Sequence, residues 1–162
     1  MTTNRERFSR IGTFAAQLAV SRGIRVIGTA SAANHAYLRS LGVTPVLYGD
    51  GLGERVRSHA PNGVDAVLDA SGHGEIPVSI ELAGGPERVL SLVAFDYADT
   101  GIQLHDTGAG NPTRALHDIL TLLGEGRLHV PISGTYPLSA VAKALDESRS
   151  GHTRGKSVVL PN

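Results

Sequence analysis

The sequence predicts an α/β fold built on a doubly wound, mostly parallel sheet that lacks its usual first strand. Three observations carry this prediction. Short β-branched segments alternate with amphipathic, helix-length segments, an order that implies right-handed crossovers and parallel pairing. Glycine, Asn-Gly or proline punctuates many of the junctions. The first periodic segment is a helix, whereas a sheet of this type normally opens with the strand that occupies its middle.

The opening helix is read from Ile11, Phe14, Ala15, Leu18 and Ala19, which share one helical face, with Gly23 as its stop. Residues 24–28 (IRVIG) form a buried strand, 34–41 a second helix ended by Gly42, and 46–48 (VLY) a short strand. A weaker helix covers 53–59. Asn62-Gly63 then turns the chain into a strand at 64–69 (VDAVLD). Pro77 starts a helix that runs to Ala83 and stops at Gly84-Gly85. Residues 88–94 (RVLSLVA) are the strongest strand, and 102–105 (IQLH) a short one. Asn111-Pro112 reads as N-cap and first helical residue, ahead of an apolar stripe at Leu116, Ile119, Leu120 and Leu123. Extended pieces at 128–132 and 135–138 follow, then a helix carrying Leu138, Val141, Ala142 and Leu145, and a terminal strand at 156–160 (KSVVL). Residues 106–113 (DTGAGNPT) form the most loop-like stretch, either a lid or a long surface connection.

Composition narrows the function. Of 162 residues, 41% are hydrophobic, enough for a core, and 15 basic residues balance 15 acidic ones. That balance argues against nucleic acid as a partner. The absence of cysteine removes disulfides, thiolate zinc sites, iron–sulfur clusters and cysteine nucleophiles. The polar start, MTTNRERFSR, lacks the apolar stretch of a signal peptide, and no segment is apolar for the roughly 18 residues of a membrane span. A cytoplasmic protein with no membrane partner is therefore expected. Residues 5–10 (RERFSR) carry three arginines and a glutamate, too charged for a buried parallel strand. The first strand is expected either outside the chain or from another segment, with Lys156–Leu160 the best internal replacement.

Four stretches, IGTFAAQLAVSRGIRVIGTASAANHAYLRSLGV, GVDAVLDASG, ERVLSLVAF and TYPLSAVAKALDESRSGHTRGKSVVL, resemble the C-terminal half of the medium-chain dehydrogenase/reductase superfamily. The resemblance is closest to the zinc-free quinone-oxidoreductase branch, and it covers about nine-tenths of the chain. It implies a Rossmann-like nucleotide-binding domain over 9–127, a strand-helix-strand segment over 128–162 and a polar tail over 1–8. It also implies a substrate domain that has no counterpart here. The family's glycine-rich phosphate loop aligns with Ser9, Arg10, Ile11 and Gly12. Only Gly12 is retained, the glycine that allows close helix–strand packing. Ser9 and Arg10 replace the glycines that approach the pyrophosphate, so cofactor binding by this chain alone is expected to be weak or absent.

The end of the second strand of such folds selects the cofactor, because a carboxylate there hydrogen-bonds the 2′-hydroxyl of NAD. This chain has Thr29 and Ser31 instead, with Asn34 and His35 at the next helix start and Arg39 the nearest cation. NADP is the expected cofactor; the plainer reading is that Ser31 only caps a helix. Tyr48 stands beside the adenosine half by resemblance, or is merely a strand-end aromatic. By the same resemblance, Ala70, Ser71 and Gly72 together with Val93, Ala94 and Phe95 flank the nicotinamide. His73 is read as a surface loop histidine, and Asp69 as a residue able to anchor a loop. No catalytic constellation, nucleophile elbow or metal-ligand set stands out.

The resemblance thus implies a zinc-independent, NADP-dependent reductase of quinones, enones or related carbonyl compounds, of which this chain is the cofactor-binding half. The alternative is a non-catalytic remnant that serves as a binding or regulatory module. The family pairs its sixth-strand edge across a two-fold axis, so a homodimer is expected through the edge near Ile102.

Overall fold

The computed structural model describes residues 10–72, 74–105, 110–150 and 155–161. Ser9, His73 and residues 106–109 of the 106–113 loop lie outside the described residues. The fold is the expected α/β alternation, and every strand pair is parallel. Helix α1 (Arg10–Ser21) leads to β1 (Ile27–Thr29), α2 (His35–Ser40), β2 (Thr44–Val46) and α3 (Leu52–Arg57). Then come β3 (Val67–Asp69), α4 (Ile76–Ala83), β4 (Val89–Ser91) and β5 (Gln103–Leu104). The chain continues through α5 (Pro112–Gly124), β6 (Ile132–Pro137), α6 (Val141–Ser150) and β7 (Lys156–Leu160).

The strands form three sheets, ordered β1-β2, β3-β4-β5 and β6-β7. The first two are the halves of a Rossmann-like sheet. Among the described residues, no strand ladder joins them. Side chains do: Val46, Leu52 and Val56 of the first half bury against Leu82 of α4, with Ile27, Val64 and Val78 around them. Arg57 of α3 also pairs with Glu81 of α4. A second cluster, Ala16, Ala30, Leu38 and Val43, lies under β1 and β2; a third, Ile76, Ala83, Val89, Ala94 and Ile102, lies under the other half-sheet.

Several sequence expectations shift. β1 begins at Ile27 and not at 24, because Ile24 is solvent-exposed. β2 runs Thr44–Val46, two residues earlier than expected, and tolerates Pro45 because it has a partner on one side only. Leu128 precedes the strand, and the two expected extended pieces merge into β6. Against expectation, the terminal strand does not join either half-sheet: β7 pairs with β6. Ile102 is buried in the core and lies outside the two-residue edge strand β5.

The apolar stripes of three helices also do not become core. On α1 the buried residues are Thr13, Ala16 and Gln17, while Ile11 faces solvent. Polar docking explains the rotation. Gln17 Nε2 donates to the His129 carbonyl (3.0 Å) and Gln17 Oε1 accepts from the His129 N–H (2.8 Å). Phe14 is covered by the Lys156 ammonium, 5.7 Å from the ring centre. On α5, Leu116 and Leu120 are exposed; on α6, Leu145 and Val141 are exposed and Ala144 is the buried residue. The Asn111 cap forms as expected, its Oδ1 accepting from the Arg114 N–H at 3.0 Å.

Candidate nucleotide-binding site

Loops leaving the C-terminal ends of parallel strands are where open α/β sheets bind ligands. On the second half-sheet, two such loops are bonded together. β3 ends in Asp69. Its Oδ1 accepts from the Ser71 N–H, the Ser71 hydroxyl and the Gly72 N–H, each at 3.0 Å. Its Oδ2 accepts from the hydroxyl of Ser91, the last residue of β4, at 2.7 Å. Ser91 is fully buried, and its Oγ accepts in turn from the N–H groups of Val93 (3.2 Å) and Ala94 (2.9 Å). Burial would push the Asp69 carboxyl up. The hydrogen bonds from Ser71, Ser91 and Gly72 outweigh that and hold it below the usual aspartate value.

This network brings together two of the segments singled out in the sequence, 70–72 and 93–95. Gly72 has φ +68°, and a Cβ there would lie 3.0 Å from Val93 Cγ2. A side chain at 72 would therefore be strained in the backbone and press on the neighbouring loop. Ala70 is half-buried and Ala94 buried; Val93 and Phe95 present exposed apolar side chains, Phe95 at 62%.

The other predicted residues sit on the first half-sheet. Thr29 ends β1, and the Ala30 N–H donates to the Val46 carbonyl (2.9 Å), extending the pairing with β2 by one step. Ser31 occupies the cap position of the short helical turn Ala32–Asn34, but its hydroxyl makes no capping bond. It accepts from Asn34 Nδ2 instead, at 3.2 Å. The plain capping reading of Ser31 is thereby corrected. His35 Nε2 lies 3.3 Å from the Ala30 carbonyl oxygen. Arg39 falls in the last turn of α2, away from the helix start. Gly12 is half-buried in the first turn of α1.

Tyr48 is half-buried two residues after the end of β2. Its loop is held by a residue that sequence reasoning missed. The Arg55 guanidinium donates to four backbone carbonyls, those of Leu47 (2.9 Å), Tyr48 (3.2 Å), Gly49 (3.0 Å) and Asp50 (2.7 Å). Glu75, also missed, accepts from the Gly49 N–H at 2.8 Å and so links the loop after β2 to the start of α4. The glycines at 49 and 51, both at positive φ, signal a tight turn in the sequence; nothing there names the arginine that staples it.

Two parallel half-sheets, the second with its strand-end loops bonded together, form a Rossmann-like α/β arrangement. A family model described as zinc-binding dehydrogenase matches residues 41–159. The chain belongs to this family, within the medium-chain dehydrogenase/reductase superfamily. It is 27% identical to a chloroplast envelope quinone oxidoreductase homolog of Arabidopsis thaliana, over 93% of this chain and 49% of the relative. The quinone oxidoreductase of Coxiella burnetii superposes with a TM-score of 0.74 at 28% identity, over 92% of this chain and 49% of that one. A mycobacterial protein solved in complex with NADPH shares the fold, with a TM-score of 0.73 and 21% identity over 94% of this chain and 54% of that one. The chain spans about half the length of the curated relative it matches.

The family's description implies zinc. Among the described residues, no group of three or more His, Cys, Asp or Glu side chains is placed to hold a metal ion, so they do not fit one. Hydroxyl and amide side chains of Thr29, Ser31 and Asn34 lie at and just after the end of β1, and paired loops follow β3 and β4. No helix of the described residues is long and apolar enough to cross a membrane.

Proposed function

We propose that this chain is the cofactor-binding half of an NADP-dependent, zinc-independent oxidoreductase that reduces quinones, enones or related carbonyl compounds. The observation that carries the reading is the bonded pair of loops 70–72 and 93–95, built at the strand ends where open α/β sheets bind their ligands. Bound NADPH supplies the hydride. The chain's own residues bind and orient. Thr29, Ser31 and Asn34 offer hydroxyl and amide donors to a 2′-phosphate, and no carboxylate among them repels it. Tyr48 stands by the adenosine half on the loop stapled by Arg55. Ala70, Ser71 and Gly72 face the nicotinamide ribose from one side, and Val93, Ala94 and Phe95 from the other. Gly12 lets α1 approach the sheet closely. His73 has no role in this reading.

Two relatives point the same way: one is named a quinone oxidoreductase homolog, and one was solved with NADPH. The same reading pairs the outer edge of β5 with a second copy in a homodimer, which sedimentation at micromolar concentration checks. The cysteine-free sequence suits a reducing cytoplasm.

Because Ser9 and Arg10 stand where the family has glycines, binding by this chain alone is weak, and the test must register weak binding. Amide chemical shifts are followed while NADPH is added to millimolar concentration. Shifts concentrated at 29–34, 70–72 and 93–95, larger with NADPH than with NADH, are expected. Ser31→Asp reverses the preference by placing a negative charge against the 2′-phosphate. No shifts at either group of residues, or equal response to the two cofactors, refutes the reading.

A further inference from the structure

We infer that Asp69 acts across the sheet, through the direction of the Ser91 hydroxyl, to set the backbone of the loop that follows β4. An ionised carboxylate can only accept hydrogen bonds, whereas a serine hydroxyl has one proton and two lone pairs. With Oδ2 of Asp69 at 2.7 Å, the Ser91 proton is committed to the carboxylate. Both lone pairs of Ser91 Oγ are then free for the Val93 and Ala94 N–H groups, and both are used. The negative charge on one strand end thus fixes two backbone amides on the next. Asp69 and Ser91 are positioning residues, and Val93, Ala94 and Phe95 are what they position. In its bearing on the cofactor this inference rests on the reading above; as a statement about the loops it stands by itself.

The bond directions make a specific prediction for Asp69→Asn. Among the described residues, three donors converge on Oδ1 and one on Oδ2. The asparagine amide therefore turns its oxygen toward Ser71 and Gly72, where most donors are satisfied, and its NH2 toward Ser91. The Ser91 proton loses its acceptor, and the asparagine NH2 competes with Val93 and Ala94 for the same oxygen. The near loop survives and the far loop loosens.

Amide hydrogen exchange on the whole chain reads this directly. In Asp69→Asn, exchange at Val93 and Ala94 is expected to rise about tenfold, while Ser71 and Gly72 change by less than about twofold. Ser91→Ala, a near-isosteric change in a buried place, gives the same pattern and decides the matter where Asp69→Asn fails to fold. The double variant is no worse at Val93 and Ala94 than Ser91→Ala alone, since both changes cut one chain of bonds. Unchanged exchange at Val93 and Ala94 in Ser91→Ala overturns the inference, as does a uniform rise over the whole chain in both single variants. A second measurement separates the two readings. The shifts induced by NADPH and by 2′,5′-ADP, which lacks the nicotinamide half, are compared in the wild type and in Ser91→Ala. Where the cofactor reading holds, the variant loses response to NADPH at 93–95 and keeps its response to 2′,5′-ADP at 29–34. If the wild type responds to neither, the cofactor reading fails while the exchange pattern still decides the role of Asp69.

Discussion

Helices α4 and α5 have opposite fates, and the better-patterned one is the less buried. α4 is eight residues long and buries Ile76, Ser79, Leu82 and Ala83. α5 has thirteen residues and a clean stripe of leucine and isoleucine, yet none of its residues is buried. The difference lies in what each meets. α4 sits between the two half-sheets: its Ile76 and Ala83 pack with Val89 and Ile102 on one side, and its Leu82 with Val46 and Val56 on the other. Amphipathic spacing creates an apolar face; only a packing partner converts it into stability.

The most severe way to break this contrast is inside α4. Ile76 is 1% exposed, and Ile76→Ala removes several buried methyl and methylene groups from a packed cluster. A loss of about 2–5 kcal/mol is expected, read as a lower urea midpoint. A loss below about 1 kcal/mol would mean that the cluster collapses around the gap.

A smaller effect tests the strand-end network. The folded-state value of Asp69 lies below its unfolded value, so its contribution to stability is full above the ordinary aspartate value near 3.9 and is lost as pH falls through the lower, folded value. Melting temperature followed from pH 6 to pH 2.5 is therefore expected to fall less steeply in Asp69→Asn than in the wild type. Parallel curves would show that the carboxylate contributes nothing through its charge. The smallest effect is expected on α5. Leu120 is 58% exposed, and Leu120→Ala costs under about 0.5 kcal/mol by thermal melting of the chain alone. A larger cost would reveal a partner seated on that face.

The same contrast shows what was legible in the sequence. The order and type of the elements were, because alternation of β-branched runs with 3.6-residue periodicity is local information. The strand boundaries at 24–28 and 46–48 were not. Burial decides them, and Ile24, apolar in type, lies in solvent. The stripes on α1, α5 and α6 were legible as stripes and misread as core. On α1 two bonds from Gln17 to the His129 backbone set the rotation, and no periodicity encodes such a contact. At the site, the loops 70–72 and 93–95 and the anchoring capacity of Asp69 were readable from their positions at strand ends. Arg55 and Glu75 were not. Long side chains that bond to backbone groups of a neighbouring loop leave no composition signal, and they resemble any charged residue on a helix.

One feature of the architecture has an energetic corollary for ligands. The two half-sheets meet through side chains of α3 and α4, without a backbone ladder between them among the described residues. Ser31, Asn34 and Tyr48 belong to one half; Gly72 and Val93 belong to the other. A molecule long enough to reach from Ser31 to Gly72 would span that side-chain junction, whereas a fragment seated on one half-sheet would not. By linkage, a substitution that loosened the packing of α3 on α4 would weaken such a spanning molecule more than the fragment.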